Sequence, residues 1–171
     1  MLVVGNWLSP ETTALMLTNS QQPTLVIAGH QDPRYPGAQQ RAKALGIERH
    51  IKFIGAVSDD DAAALYSACD LFVFPSLYEG FGLTPLEAMA CGAPVACSNT
   101  SSLPEVVGDA ATLFDSMKPD EIAAACLRIL RDDDLRSQMR ERSLAQATRF
   151  SWREAARHTI ALYREVVQLK R

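Results

Sequence analysis

Short apolar runs alternate with helical patterns along the chain, and this alternation constrains the fold more than any other feature of the sequence. Each run is rich in Val, Ile, Leu or Phe, and most stop at glycine, proline or serine, as strands buried on both faces do. The alternation predicts an α/β fold: a doubly wound, Rossmann-like parallel sheet of about six strands with helices on both faces. The runs are Leu2 to Val4, Thr24 to Ala28, Ile51 to Ile54, Leu71 to Phe74, Pro94 to Cys97 and Ala111 to Phe114.

The chain beyond the last of these runs has helical patterns only, which begin at Pro119, near Asp133 and at Ser151. We therefore expect residues 1–150 to form one Rossmann-like domain and residues 151–171 to form a C-terminal helix. Apolar residues recur in this last helix at roughly helical spacing, which indicates an apolar face that packs on the same domain or on another one.

Charge balance and hydropathy exclude several classes of protein. With 17 basic and 20 acidic residues the net charge is −3, which gives no reason to expect a nucleic-acid surface. No apolar run approaches the roughly 20 residues that span a bilayer, and the first residues lack the pattern of a signal peptide. The four cysteines form no C-x-x-C pair, as is typical of reduced, buried thiols. These features favour a cytoplasmic protein without a transmembrane segment.

The loop after the fourth predicted strand is the densest candidate site, because ligands of open parallel sheets bind beyond the carboxyl ends of the strands. It covers residues 76–87 and joins a buried strand directly to a helix. Gly80 and Gly82 would let the backbone approach a ligand closely. The amides of Gly82, Leu83 and Thr84 would point out of the helix start, where free N–H groups and the helix dipole favour a diphosphate without a metal or a lysine.

Two carboxylates flank this loop, Glu79 before the helix and Glu87 about one turn into it. A carboxylate accepts hydrogen bonds from paired hydroxyls, so ribose and hexose rings are suitable targets. Each acid also has a plainer interpretation. Thr84 and Glu87 have the spacing of a capping box, in which Glu87 only bonds the Thr84 amide of a helix over about Pro85 to Cys91. Glu79 could be a solvated loop acid.

Two runs of aspartates, Asp59 to Asp61 and Asp132 to Asp134, look like carboxylate clusters for a metal. Both stand where a predicted helix begins or ends, so helix capping and interaction with the helix dipole are the favoured interpretation. We therefore expect no metal site.

The segment from Phe74 to Val95 resembles the signature of the glycosyl transferases group 1 family, which comprises retaining enzymes of the GT-B type. The hallmark of that family is two glutamates separated by seven residues, and Glu79 and Glu87 have this spacing. Further similar stretches are Ile51 to Gly55, Leu103 to Ala110 and Phe150 to Trp152, so the resemblance covers most of the chain.

The resemblance implies a role for each position of the motif. Glu87 would bind the ribose hydroxyls of a nucleoside diphosphate sugar. Glu79 would be the catalytic residue, binding the donor sugar ring and helping to stabilise an oxocarbenium-like transition state. The family requires no metal and no other cofactor. The loop that would cover the base comprises Gly55, Ala56 and Val57, and the backbone that would hold the diphosphate comprises Gly80, Phe81, Gly82, Leu83 and Thr84.

The chain departs from the family in two respects. Family members carry an N-terminal domain that binds the acceptor, whereas this chain is expected to start at the first strand of the second domain. They also place an Arg and a Lys just after that strand, but the first basic residue here is Arg34. Loss of two charge-assisted hydrogen bonds to phosphate would weaken donor binding by roughly 1.5–3 kcal/mol each.

The sequence therefore predicts the donor-binding domain of a retaining glycosyltransferase that transfers a hexose from a nucleoside diphosphate sugar, inactive alone because the acceptor domain is absent. The expected partner is that domain or a separate acceptor subunit. The C-terminal helix would pack on this domain or cross to that partner, and the full enzyme could touch a membrane surface. Two alternatives stay open: a non-catalytic interaction module with a degraded donor site, and another doubly wound enzyme such as a sugar-nucleotide epimerase.

Overall fold

The computed structural model describes residues 1–4, 9–17, 23–29 and 37–169. Two short 3-10 helices lie at Glu48–His50 and Gly108–Ala110. The strands are β1 (Leu2–Val4), β2 (Leu25–Ala28), β3 (Ile51–Gly55), β4 (Leu71–Phe74), β5 (Val95–Ser98) and β6 (Thr112–Phe114). The α-helices are α1 (Pro10–Leu17), α2 (Gly37–Ala44), α3 (Asp59–Ala68), α4 (Leu83–Ala90), α5 (Leu103–Val107), α6 (Pro119–Arg131), α7 (Asp133–Ala147) and α8 (Trp152–Leu169).

The six strands form one parallel sheet in the order β3-β2-β1-β4-β5-β6. This is the strand order of the Rossmann fold, so the predicted fold class is confirmed. Each predicted strand is present, with bounds that differ from the prediction by at most one residue. The order of strand addition reverses between β1 and β4, and loops leaving the two sides of such a switch point diverge and open a crevice.

Each face of the sheet carries its own apolar core, as the doubly wound prediction requires. Neighbouring residues of β4 point to opposite faces, Val73 into one core and Phe72 into the other. On the first face α1, α2 and α6 cover the sheet, and on the second face α3, α4 and α5 do so. Examples from these helices are Met16, Ala42 and Cys126 in the first core, and Leu65, Met89 and Leu103 in the second.

Both aspartate runs lie at the starts of helices, as predicted, and Asp132 caps its helix. The Asp132 carboxylate accepts a hydrogen bond from the Leu135 amide at 2.9 Å at the start of α7. The Ser58 hydroxyl accepts one from the Asp61 amide at 3.2 Å, so Asp59 to Asp61 form the first turn of α3. Within the described ranges, no group of three or more His, Cys, Asp or Glu side chains is placed to hold a metal ion.

Helix α8 differs from the other helices because its side chains lie in solvent. Residues 152–168 are all exposed, among them Trp152 at 80% and Tyr163 at 66%. Just before this helix, the Phe150 ring meets the Phe81 ring edge to face, with centroids 6.0 Å apart. The described side chains of α8 are therefore not buried against the sheet.

Candidate functional site

A cavity of about 250 Å³ lies in the crevice at the carboxyl ends of the strands, between α3 and the start of α4. Its walls are apolar or glycine except for two hydroxyl side chains. Mostly apolar walls with a few polar groups are typical of small-molecule sites, and this volume suits a fragment the size of a nucleobase better than a drug-sized ligand. The lining residues are Val3, Ala28, Gly29, Ala56, Val57, Ala62, Leu65, Tyr66, Phe72 and Thr84.

Helix α4 starts at Leu83, earlier than the expected start near Pro85, because Gly82 caps it in a left-handed conformation with φ 108°. The first hydrogen bond of the helix joins the Leu86 amide to the Gly82 carbonyl at 3.4 Å. The Leu83 and Thr84 amides therefore have no partner within the helix. Such amides, together with the helix dipole, favour an anion at this end of α4.

Glu87 does not cap this helix. The N-cap is Gly82, so the capping-box interpretation, in which Thr84 would stand at the N-cap, is wrong. Thr84 and Glu87 are three residues apart and share one face of α4. Thr84 lines the cavity, and so does Tyr66 from α3. Burial and then the negative charge of Glu87 raise the pKa of Tyr66 to about 12. Glu87 therefore lies on the cavity side of the helix start.

Glu79 lies on the β5 side of the helix start, outside the cavity wall. Its carboxylate accepts a hydrogen bond from the Ser76 hydroxyl at 2.8 Å. Its amide donates to the Ser101 hydroxyl at 3.0 Å, and its carbonyl accepts from the Ser102 hydroxyl at 3.1 Å. Glu79 is half-buried. An acid held at its carboxylate, amide and carbonyl is not the freely solvated loop acid of the plainer interpretation.

The remaining predicted site residues lie in two loops around the helix start. Gly55 accepts a hydrogen bond from the Gly29 amide at 2.8 Å, which ties the loops after β2 and β3 together at the cavity. Ala56 and Val57 follow it and line the cavity wall. In the loop before α4, Gly80 and Phe81 are both exposed. The Phe81 carbonyl accepts a hydrogen bond from the Ser102 hydroxyl at 2.7 Å.

The hydroxyl side chains that hold the site and the phenol that lines it were not predicted from the sequence. Ser76, Thr100, Ser101 and Ser102 all bond within residues 76–82. The signal for Thr100, Ser101 and Ser102 in the sequence is a serine- and threonine-rich stretch after β5, since such side chains often bond nearby backbone. The sequence does not show that this stretch faces the loop after β4. The stretch after β1 that lacks the family's basic pair includes residues 5–8, which lie outside the described residues.

None of the helices in the described part of the chain is both long enough and apolar enough to cross a membrane.

The strand order and the helices on both faces define a Rossmann-like domain of the kind that GT-B glycosyltransferases contain. Sucrose-phosphate synthase from Thermosynechococcus elongatus superposes with a TM-score of 0.83 at 26% identity, over 98% of this chain and 46% of that one. The Anabaena protein HepE, solved with UDP and glucose, superposes with a TM-score of 0.82 over 96% of this chain and 48% of that one. Its identity of 23% makes this a likeness of fold.

The family follows from the sequence comparison. The family profile described as Glycosyl transferases group 1 matches residues 12–146. O-antigen chain mannosyltransferase B of Escherichia coli is 50% identical over 117 residues, which is 68% of this chain and 31% of that protein. The chain belongs to the glycosyl transferases group 1 family, as its sequence signature predicts. It spans about a third of the length of this curated relative.

Proposed function

We propose that this chain is the nucleotide-sugar-binding domain of a retaining glycosyltransferase that transfers a hexose from a nucleoside diphosphate sugar to an acceptor. The observation that carries the proposal is the start of α4. Its free Leu83 and Thr84 amides lie between an apolar cavity on one side and Glu79 on the other. Glu87 stands on the cavity side of the same helix.

The donor would extend across this helix start. Its base would occupy the cavity under Ala56 and Val57, and its ribose hydroxyls would donate to the Glu87 carboxylate. The diphosphate would accept from the amides at the start of α4, where the helix dipole also stabilises negative charge. This arrangement would stabilise the leaving diphosphate without a metal ion, as the sequence leads us to expect.

The hexose would then lie against Glu79. Retaining transfer passes through a transition state in which the sugar ring carries positive charge, and a carboxylate held beside the ring stabilises that charge. The UDP and glucose in HepE and the name of the Escherichia coli mannosyltransferase both support a hexose donor. The acceptor would bind on a further domain or subunit, so this domain alone would bind donor without transferring the sugar.

A thermal-shift panel of UDP, GDP and ADP with their hexose conjugates tests donor binding. A ligand at 100 times its dissociation constant stabilises the folded state by about 2.7 kcal/mol. We expect at least one nucleoside diphosphate to raise the melting temperature accordingly. If none does so, and titration calorimetry shows no heat with any of them, the alternative of an interaction module with a degraded donor site is favoured.

Substitution of Glu87 tests which side of the helix start receives the ribose. We expect Glu87→Ala to weaken binding of the stabilising nucleoside diphosphate roughly 10–100-fold, since a hydrogen bond to a charged group contributes about 1.5–3 kcal/mol. Glu87 is exposed on a helix, so the melting temperature without ligand should hardly change. Glu141→Ala, at an exposed position of α7, is the matched control. Equal affinities of the two variants would remove Glu87 from the site.

A further inference from the structure

The loop after β5 holds the loop after β4 through hydroxyl side chains. Ser102 donates to the carbonyls of Glu79 and Phe81, at 3.1 and 2.7 Å. Thr100 donates to the Ser76 carbonyl at 3.3 Å. Between them, the Ser101 hydroxyl accepts from the Glu79 amide at 3.0 Å. The two loops leave adjacent parallel strands, so their contact is a direct result of the sheet order.

Ser101 holds its hydroxyl in place at a cost in backbone conformation. Its φ is 50°, and it is the one non-glycine residue with positive φ among those the structure describes. Glycine adopts this left-handed region without the steric penalty of a Cβ, so glycine would fit here with less strain. A strained residue persists where its surroundings hold it, and such residues cluster at functional sites. What serine adds here is a hydroxyl directed at the Glu79 amide.

We propose that Ser101 is a positioning residue that fixes the orientation of Glu79 toward the donor sugar, an inference that rests on the proposed function. The Glu79 main chain is held by Ser101 and Ser102, and its carboxylate accepts from Ser76 at 2.8 Å. Fixing the amide fixes the direction in which the side chain leaves the backbone. The carboxylate is then presented to a sugar ring in one orientation, with less conformational entropy to lose on binding.

Ser101→Gly separates positioning from stability, because it removes the hydroxyl and the backbone strain together. The probes are UDP with UDP-glucose and GDP with GDP-mannose, titrated into the chain and its variant. We expect the affinity for the free diphosphate to stay within about twofold. The preference for the sugar conjugate over the free diphosphate should fall about 3–10-fold, the loss that follows one missing hydrogen bond. The melting temperature should stay within about 2 °C of the wild type.

Two controls sharpen this comparison. Ser101→Ala keeps the strain and loses the hydroxyl, so it should show the same loss of sugar preference with a melting temperature about 2–4 °C lower. Thr159→Ala, which removes an exposed hydroxyl bonded within α8, should change neither quantity.

The possible failures are distinguishable. An unchanged sugar preference in Ser101→Gly, or a parallel loss of melting temperature and of both affinities, overturns the positioning role and leaves the proposed function intact. A wild-type chain that binds the sugar conjugates no better than the free diphosphates also overturns it. A wild-type chain that binds none of the probes overturns the proposed function itself.

Discussion

Gly82→Ala is expected to destabilise the domain by about 2–4 kcal/mol and to abolish binding of nucleoside diphosphates. Gly82 has φ 108° and ψ 44°, a conformation that costs a residue with a Cβ roughly 1–2 kcal/mol. The new Cβ would also lie 2.8 Å from Cδ2 of Leu103, a fully buried side chain of the second core. Overpacking of this kind adds about 1–3 kcal/mol. Relief of the clash would move the start of α4, and with it the amides proposed to bind the diphosphate.

Urea unfolding monitored by circular dichroism measures the first effect, and calorimetric titration with UDP and GDP measures the second. Gly80→Ala is the matched control in the same loop, since a Cβ at Gly80 would have no neighbour within 4 Å and Gly80 lacks the positive φ of Gly82. The control should change the free energy of unfolding by less than about 1 kcal/mol. If Gly82→Ala unfolds at the same urea concentration as the wild type, the conformation assigned to Gly82 is not required for the fold.

Gly82 also shows why the start of α4 could not be placed from the sequence. Pro85 suggests a first helical residue, because proline is common there. The actual start is set by a left-handed glycine whose space is limited by Leu103, a residue about twenty positions further along the chain. The strands were predictable because each is a short, mostly apolar run, a property that each segment shows by itself. β4 and β5 show it most clearly, since every residue of both strands is buried.

In the candidate site, too, some features follow from the sequence of one segment, and others depend on contacts between distant segments. The positions of Glu79 and Glu87 around one helix start follow from their spacing, and the structure places them there. The serines that hold the main chain of Glu79, Ser101 and Ser102, come from another loop, and only the pairing of β4 with β5 brings them close. The surroundings of α8 could not be predicted from its own sequence either. Its amphipathic pattern predicts an apolar face but does not say which surface covers it, and its described side chains are exposed.

Stability is expected to fall steeply between pH 8 and 10, because three thiols are buried in the two cores. Burial raises the pKa of Cys69 to about 11 and that of Cys97 and Cys126 to about 12, from an ordinary value of 9.0. At neutral pH these thiols are protonated in both the folded and the unfolded chain, so they do not affect the balance. Above pH 9 the unfolded chain releases these protons and the folded chain retains them, so stability is lost until the pH reaches the folded pKa values.

The size of this effect follows from linkage between proton binding and folding. At pH 10 each thiol with an unfolded pKa of 9.0 favours the unfolded state by about 1–2 kcal/mol, so three thiols together contribute a loss of about 4 kcal/mol. That is a large fraction of the 5–15 kcal/mol that roughly separates folded from unfolded domains. Urea unfolding from pH 7.5 to 10, with a reductant present to prevent disulfide formation, measures the dependence directly.

A thiol variant identifies the groups responsible. Cys126→Ala should lower stability at neutral pH through lost packing. Its further loss of stability between pH 8 and 10 should be about two thirds of the wild-type loss, because one of the three thiols is gone. Ile129→Val on the same helix, also fully buried, removes volume without a thiol and should retain the full pH dependence. If both variants lose stability with pH as the wild type does, the alkaline loss comes from other groups. Cys126 would then not be a thiol that the fold keeps protonated.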